Sequence, residues 1–517
     1  MSQIVWLFKS RLSVYCLVVV LIFAVFSPAT IRLPVDDQIS YLAELEGSTS
    51  LKDGLALFDY PLSRKYHKGD EVLFRPLFFS WLALENSLFG YQYRHWNIAN
   101  LCLHILVVLL LFELLWQITP SAFAGLFALL FSIMPGTIET TLWPHLGGYL
   151  LAFSLLLVAL KAARAIVVNA NIGTSRNTIV YVSAMIFGVF FYELMIPVSL
   201  LISGYIIWKV HRVRILHGGY ILALFLPFLA YIVAYIPHLL DAPQLFFVDG
   251  KGSNGIMTID NVANALLRTG KSFLRWTREV LLPVFGTYSV IPFHRFGKMV
   301  SWPGLSVLTM INIIIIMLGT ILFWISWTKH RIRQEAPFAC LLLAISLCYC
   351  AMINFGRIPL HAYEIGYYLY PFSLLIIIIL YSLIDLANLK SKHKVAAGLV
   401  LFSFFFVNFY LTHGVVQDVV KANSAGDAFF QKIVRFVDAH RSEPGFSFNL
   451  KEHNRPEVNP VVKLTFGYPD DLSAVSRNMK LSTILFRKYL DMENPVHLLD
   501  VYDTTNPDDT LKLPIGG

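Results

Sequence analysis

Residues 34–104 begin PVDDQISYLAELEG and end FRPLFFSWLALENSLFGYQYRHWNIANLCLH, and they join the first long hydrophobic segment of the chain to the second. Two adjacent carboxylates, Asp36 and Asp37, directly follow the first segment. The step from Arg75 to Leu77 then leads into an aromatic run. Ionisable groups at a membrane boundary are costly, which makes them functional candidates. If the chain carries out chemistry, this stretch is the first place to expect it.

The composition is that of a polytopic membrane protein. Of the 517 residues, 56% are hydrophobic and 14% are charged, and the mean hydropathy is +0.62. Soluble domains carry about a quarter charged residues. The net charge of +8 does not indicate nucleic acid, because the basic residues lie in short loops between apolar segments and so follow the positive-inside rule. We therefore expect a lipid bilayer as partner and no nucleic acid. The five cysteines lie in hydrophobic segments without a CxxC pair and are expected to be packing thiols.

Apolar runs near the ~20-residue length needed to cross a bilayer predict about eleven transmembrane helices. The runs are 12–31, 95–116, 122–137, 145–163, 178–192, 194–209, 217–238, 304–327, 337–354, 368–388 and 395–412. The first run is too long for the core of a signal peptide, so it is expected to remain as an uncleaved span.

The orientation follows from five clusters of basic residues, which fall on one side if the spans alternate. The clusters are Lys9/Arg11, Lys161/Arg164/Arg176, Lys209/Arg212/Arg214, Lys329/Arg331/Arg333 and Lys390/Lys392/Lys394. This predicts a cytoplasmic N-terminus, with outer loops at 32–94 and 239–303. The predicted fold is an all-α polytopic transmembrane domain over 1–412, followed by a small extracytoplasmic α+β domain over 413–517.

Two outer segments are predicted to form helices in the membrane interface. Residues 75–90 are apolar but carry Glu85 and Asn86, and they are too short to cross. Residues 262–286 are amphipathic and basic. Both patterns are typical of helices that lie at the lipid–water boundary.

The remaining ionisable candidates are predicted to share the outer face. They are Arg75, His95, His104, Glu139, His145, Glu193, Arg357, His361 and Glu364. Arg75 and Arg357 have the side chain that binds phosphate with two hydrogen bonds, although Arg75 could also reach towards lipid headgroups. His145 could have a structural role instead of a catalytic one, and Glu193 could be a paired carboxylate at the membrane edge or a plain turn residue. The tyrosines around Tyr367 fit either an interfacial belt or the aromatic walls of a phosphate and sugar site.

The aspartate pair allows three interpretations. It could act as a general base, bind a metal ion, or simply end a helix. A divalent metal ion is compatible with the pair but is not required by it. The sequence contains no Walker loop, zinc spacing or nucleophile elbow. An ATP-driven pump or a serine hydrolase therefore has no support.

Six short segments, taken in order, resemble the GT-C class of membrane-embedded glycosyltransferases. They are VDDQISY, FRPLFFSW, LFGYQYRHWNIANLCLH, PGTIETTLWPHLGGYLLA, YELMIPVSLL and AYEIGYYLYPFSLL, within residues 34–375. The nearest branch contains the protein O-mannosyltransferases and the transmembrane-and-tetratricopeptide proteins, although this chain has no tetratricopeptide array. Ile365-Gly366 also stands where the family usually has an arginine, which leaves the phosphate role to Arg357 or to no residue.

The resemblance implies a polyprenyl-phosphate sugar donor and a glycan, lipid or protein acceptor at the outer face of a bacterial inner membrane. Asp36 or Asp37 would be the catalytic base, with the other aspartate orienting the acceptor or a metal ion. The donor-binding residues would be Arg75, His104, Arg357 and Tyr367. Supporting polar residues would be Glu139, His145, Glu193, His361 and Glu364.

Two other functions stay open from the sequence. An O-antigen ligase or polymerase would place basic residues and histidine in a late outer loop, as Arg275, Arg278, His294 and Arg295 allow. A lipid or glycan transporter would call for inverted repeats and charges near mid-membrane, and the sequence shows neither.

Overall fold

A computed structural model describes residues 10–30, 75–90, 92–169, 175–213, 216–241, 259–281, 330–356, 368–383 and 391–440. Within these ranges every regular element is a helix. The α-helices are α1 Arg11–Phe26, α2 Pro76–Phe89, α3 Tyr93–Ile118, α4 Ala122–Ser132, α5 Ile138–Leu142, α6 Gly147–Val168, α7 Ser175–Phe191, α8 Met195–His211, α9 Gly218–Asp241, α10 Ile259–Leu281, α11 His330–Gly356, α12 Leu369–Leu383 and α13 Ser391–His440. Single 3₁₀ turns lie at Ser27–Ala29, Pro135–Thr137 and Pro144–Leu146.

Many of these helices are long and apolar enough to cross a bilayer, so the chain is an integral membrane protein. Six qualify within the described ranges, in α1, α3, α6, α9, α11 and α13. A seventh span results if α4 and residues Pro135–Leu142, bent by 61° at the break between them, are counted together. Three shorter apolar helices are α7, α8 and α12. The run at 304–327 lies outside the described residues, so the count of eleven stays a prediction.

Helix α6 occupies the centre of the described bundle. It packs against α3, α7 and α8, and it is buried along most of its length. By contrast, only 17% of the apolar window of α9 is buried, and Leu222 and Val233 point outward. Exposed leucine and valine on a membrane-crossing helix are suited to contact lipid.

Helix α2 confirms that residues 75–90 contain a helix, and its position in the membrane interface stays a prediction. Pro76 occupies its first position, where the missing N–H of proline costs nothing. Gly90 ends it with φ of +50°, a conformation that glycine adopts without strain. Half of its residues are buried, including Phe78, Leu82 and Glu85, so the helix packs into the bundle.

Gly147 and Gly148 let α2 approach α6 closely. A Cβ atom at Gly148 would lie 2.4 Å from Cδ2 of Phe78, and one at Gly147 would lie 2.6 Å from Nε1 of Trp81. Real Cβ atoms do not make such short contacts. The pair therefore sets the distance between these helices.

Helix α10 confirms the helix predicted at 262–286 as far as Leu281. Residues 282–286 lie outside the described residues, and the position in the interface stays a prediction. Trp276 packs against Tyr349 and Phe372, at centroid distances of 6.1 and 5.6 Å. Leu266 and Leu274 remain exposed on another face.

Helix α13 extends well past the predicted end of the last span. Its 50 residues make it about 75 Å long at 1.5 Å per residue. The boundary predicted at residue 412 falls inside this helix. The division into a transmembrane domain and a domain over 413–517 stays a prediction, and residues 441–517 lie outside the described part of the chain.

Candidate functional site

The first element of the candidate site is an ion pair at the start of α2. The guanidinium of Arg75 donates from Nε and Nη2 to the two carboxylate oxygens of Glu193, and from Nη1 to the hydroxyl of Tyr149. Glu193 lies in the turn between α7 and α8, and Tyr149 lies in the first turn of α6. The pair therefore ties together elements far apart in the sequence.

Aromatic rings enclose this arginine. Its guanidinium carbon lies 5.5 Å from the ring centroid of Tyr149 and 5.1 Å from that of Tyr192. The Arg75 side chain is 4% exposed, whereas Glu193 is 24% exposed. Burial alone would lower the pKa of Arg75, but the adjacent Glu193 carboxylate raises the pKa well above its ordinary value. The arginine is therefore charged and paired.

The second element is the broken segment, residues 133–146, which lies between α4 and α6. It contains two 3₁₀ turns that begin at Pro135 and Pro144, with the five-residue helix α5 between them. Glu139 and His145 both lie here and are buried. Buried ionisable side chains in an irregular membrane segment are typical of a functional region.

Helix α3 contacts both ends of the broken segment. His104 places Nε2 3.0 Å from the carbonyl oxygen of Ser132 and Nδ1 2.8 Å from the hydroxyl of Tyr370. A carbonyl oxygen only accepts, so in the neutral ring Nε2 donates to Ser132 and Nδ1 accepts from Tyr370. Asn100 donates from Nδ2 to the carbonyl of Trp143 at 2.8 Å.

The third element is a buried carboxyl group on α2. Glu85 is 1% exposed, and it forms no ion pair among the described residues. Its Oε1, the Nε1 of Trp81 and the Oδ1 of Asn100 all lie within 3.3 Å of the point where a Cβ of Gly147 would be. Burial raises the pKa of Glu85 well above its ordinary value, and the nearby Trp81 opposes this shift.

The comparisons with known proteins identify no close relative. No protein-family model and no curated protein sequence matches the chain. The archaeal oligosaccharyltransferase AglB from Archaeoglobus fulgidus, in complex with an inhibitory peptide and a dolichol-phosphate, aligns with a TM-score of 0.42 and 12% identity. The alignment covers 78% of this chain and 56% of AglB, so it spans about half the length of that protein. ArnT from Cupriavidus metallidurans, bound to undecaprenyl phosphate, aligns with a TM-score of 0.44 and 11% identity over 92% of this chain and 87% of ArnT.

The structure brings several predicted site residues to one end of the bundle. Arg75 pairs with Glu193, and the segment that carries Glu139 and His145 is bonded to α3. The donor-binding role of Arg75 and His104 stays a prediction. Arg75 faces a carboxylate, and both ring nitrogens of His104 contact protein groups, because both side chains lie inside the helix packing.

The other predicted residues lie outside the described part of the chain. They are Asp36, Asp37, Arg357, His361, Glu364 and Tyr367. The alternative function of an O-antigen ligase or polymerase rests on four residues. Arg275 and Arg278 lie on α10, and His294 and Arg295 fall outside the described residues. Within the described ranges no group of three or more His, Cys, Asp or Glu side chains is arranged to hold a metal ion.

Sequence reasoning missed Tyr149, Asn100 and the role of Glu85. Tyr149 directly follows the glycine pair in a quoted motif, and Asn100 lies four residues before His104. Glu85 could have been identified from the sequence, because a carboxyl group within an apolar helix lowers stability and is therefore a functional candidate.

The opposite end of α6 holds a separate group of charges, which we call the Arg11 cluster. Glu113 accepts from Lys161 at 3.2 Å, from Arg11 at 3.4 Å and from the hydroxyl of Tyr15 at 2.5 Å. Arg164 pairs with Glu335 at 2.6 Å. Arg11, Lys161 and Arg164 thus meet at one end of the bundle, as expected if they share one side of the membrane.

Proposed function

We propose that this protein is a glycosyltransferase that moves a sugar from a polyprenyl-phosphate-linked donor to an acceptor at the outer face of the membrane. One observation carries the proposal: five of the six motif segments touch one another in the bundle. Arg75 of FRPLFFSW contacts Glu193 of YELMIPVSLL and Tyr149 of PGTIETTLWPHLGGYLLA.

The other two described segments join the same set. Asn100 and His104 of LFGYQYRHWNIANLCLH bind Trp143 and Tyr370, and Tyr370 belongs to AYEIGYYLYPFSLL. Polar contacts between distant segments are expensive to assemble in a membrane. A shared reaction site at one membrane face gives a reason for this assembly.

The proposed reaction is a single displacement at the anomeric carbon. Asp36 or Asp37 takes the proton of the acceptor hydroxyl as general base. The acceptor oxygen then forms a bond to the anomeric carbon, while the bond from that carbon to the phosphate oxygen breaks. The electron pair leaves with the polyprenyl phosphate, and the product has inverted configuration.

The leaving phosphate needs a positive partner. Arg357 is the proposed partner within the protein, and a divalent metal ion at the aspartate pair would supply the same charge. Arg75 is proposed to support the site from behind, because its guanidinium is already bound to Glu193 and Tyr149. It ties α2, α6 and the turn before α8 together next to the broken segment.

The test is sugar transfer by membranes supplied with a labelled polyprenyl-phosphate sugar. We expect Asp36→Asn or Asp37→Asn to lower the rate by about 10²–10⁴-fold, the usual contribution of a general base. Asp53→Asn, in the same predicted outer loop, is the matched control and should transfer normally. If both aspartate variants accumulate normally and retain full transfer, the assigned base is wrong.

A second experiment names the substrates. Mass analysis of surface glycans, with and without the protein, should show the loss of one sugar from one acceptor. If no glycan changes and the donor lipid instead accumulates on one side of the membrane, the protein is a transporter.

A further inference from the structure

The break between α4 and α5 frees two backbone carbonyl groups. In a continuous helix the carbonyls of Ser132 and Ile133 would accept from the N–H groups four residues later. Here the N–H of Thr137 donates to Met134 at 2.9 Å, closing a tighter turn. Freed carbonyl groups at membrane depth must find other donors.

Side chains from two other helices supply these donors. Nε2 of His104 on α3 lies 3.0 Å from the Ser132 carbonyl oxygen. The hydroxyl of Thr412 on α13 donates to the Ile133 carbonyl at 2.7 Å. His104 and Thr412 are both fully buried. The first end of the broken segment is therefore fixed from two sides.

The second end is fixed from the same helix α3. The chain turns again at Trp143, whose carbonyl accepts from the N–H of Leu146 at 3.0 Å. The same carbonyl accepts from Nδ2 of Asn100 at 2.8 Å. Asn100 and His104 are four residues apart, so they lie on one face of α3.

We propose that Asn100 and His104 form a clamp that holds the broken segment at both ends and so positions Glu139 and His145. The clamp is made by two N–H donors on one rigid helix, each bound to a backbone carbonyl. Both residues act through the segment and are positioning residues. The clamp stands on these contacts alone, and its value for catalysis rests on the function proposed above.

Hydrogen exchange measured by mass spectrometry on the purified full chain tests the clamp directly. His104→Phe removes the donor and keeps the ring. We expect exchange at residues 133–138 to rise at least tenfold, with exchange in the interior of α6 unchanged. Asn100→Leu should raise exchange at residues 141–146 instead, because it frees the other end.

Two further variants separate the clamp from general packing. His104→Gln keeps an N–H donor and should restore protection to within about twofold of the wild-type chain. Tyr370→Phe removes the other partner of His104 but keeps the aromatic ring, and it should leave residues 133–138 protected. If the His104→Phe chain does not accumulate, Thr412→Val tests the same end and should raise exchange at 133–138.

Exchange that is unchanged in both His104→Phe and Asn100→Leu, or that rises equally in α6, would overturn the clamp. The transfer assay on the same proteins is a separate readout. A clamp that serves catalysis predicts a lower rate at saturating donor in His104→Phe and recovery in His104→Gln. If the wild-type chain transfers no sugar, the proposed function fails, while the exchange result still decides the clamp.

Discussion

The two ends of α6 carry polar clusters of opposite character. At one end Arg75 is buried against Glu193, Tyr149 and Tyr192. About 18 Å away, at 1.5 Å per residue from Tyr149 to Lys161, the Arg11 cluster is open to its surroundings. There Arg11 is 52% exposed and Lys161 is 39% exposed.

The difference indicates what each cluster contributes. An exposed ion pair contributes at most about 1 kcal/mol to the free energy of unfolding. A buried ion pair loses the hydration of both charges, so it stabilises the fold little more than an apolar pair would. Removing one partner nevertheless destabilises the fold strongly, because the other charge is left unpaired. The Arg75 pair is therefore expensive to build for stability alone, which favours a role in shaping a site.

Replacing Arg75 should have the largest effect. Arg75→Ala leaves Glu193, which is 24% exposed, without its cation. We expect a loss in the free energy of unfolding of up to about 3–5 kcal/mol, the range for a fully buried pair. Thermal melting of the detergent-purified protein measures this. The paired variant Arg75→Met with Glu193→Leu should recover much of the loss, and failure to recover would mean that the ion pair itself, and not the unpaired carboxylate, accounts for the loss.

The glycine contact beside this pair should come next. Gly148→Ala puts a Cβ against the ring of Phe78, and overpacking of this kind costs about 1–3 kcal/mol. Gly204→Ala is the matched control, because nothing lies within 4 Å of its added Cβ. Equal melting temperatures for the two variants would show that α2 can move away from α6.

Glu85 should give a smaller, pH-dependent effect. Because its pKa is raised in the folded protein, the folded state favours the neutral acid. Stability should be highest below the ordinary glutamate pKa and fall as the pH rises towards the folded value. Glu85→Gln should remove this fall, because a glutamine side chain does not titrate. The melting temperatures of both proteins should be measured from pH 4 to pH 8, a range that begins near the ordinary glutamate pKa of about 4.3. The same dependence on pH in both proteins would contradict the prediction.

The Arg11 cluster should show the smallest effect. Arg11→Ala removes one exposed partner of Glu113 and should cost less than about 1 kcal/mol. Salt should reduce the difference further. A loss as large as that of Arg75→Ala, measured by the same melting assay, would remove the contrast between the two ends.

Much of the helical fold could be predicted from the sequence. Six of the eleven apolar runs coincide with helices, within the described part of the chain, that are long and apolar enough to cross a bilayer, and Arg75-Pro76 marked the start of α2. Gly147 and Gly148, in the motif PGTIETTLWPHLGGYLLA, mark the close approach of α2 to α6. These features are local, because each depends on hydrophobic pattern or on one residue's backbone freedom.

The partners of the polar residues could not be predicted in the same way. Glu193 is 118 positions from Arg75 in the chain, and hydrophobic pattern does not specify which helices become neighbours. His104 shows the same problem, because a buried histidine can face a ligand or a backbone carbonyl. The break after Ser132 decides between these, and a run of apolar residues does not reveal that break.

Helix α13 continues far beyond the part of it that can cross a membrane. Its apolar window ends at Gln417, and the helix continues to His440. At 1.5 Å per residue, the last turn stands about 35 Å beyond the end of that window. That is more than the thickness of a bilayer core of about 30 Å. Residues 441–517 therefore follow a helical spacer that is longer than the hydrocarbon core of a bilayer is thick.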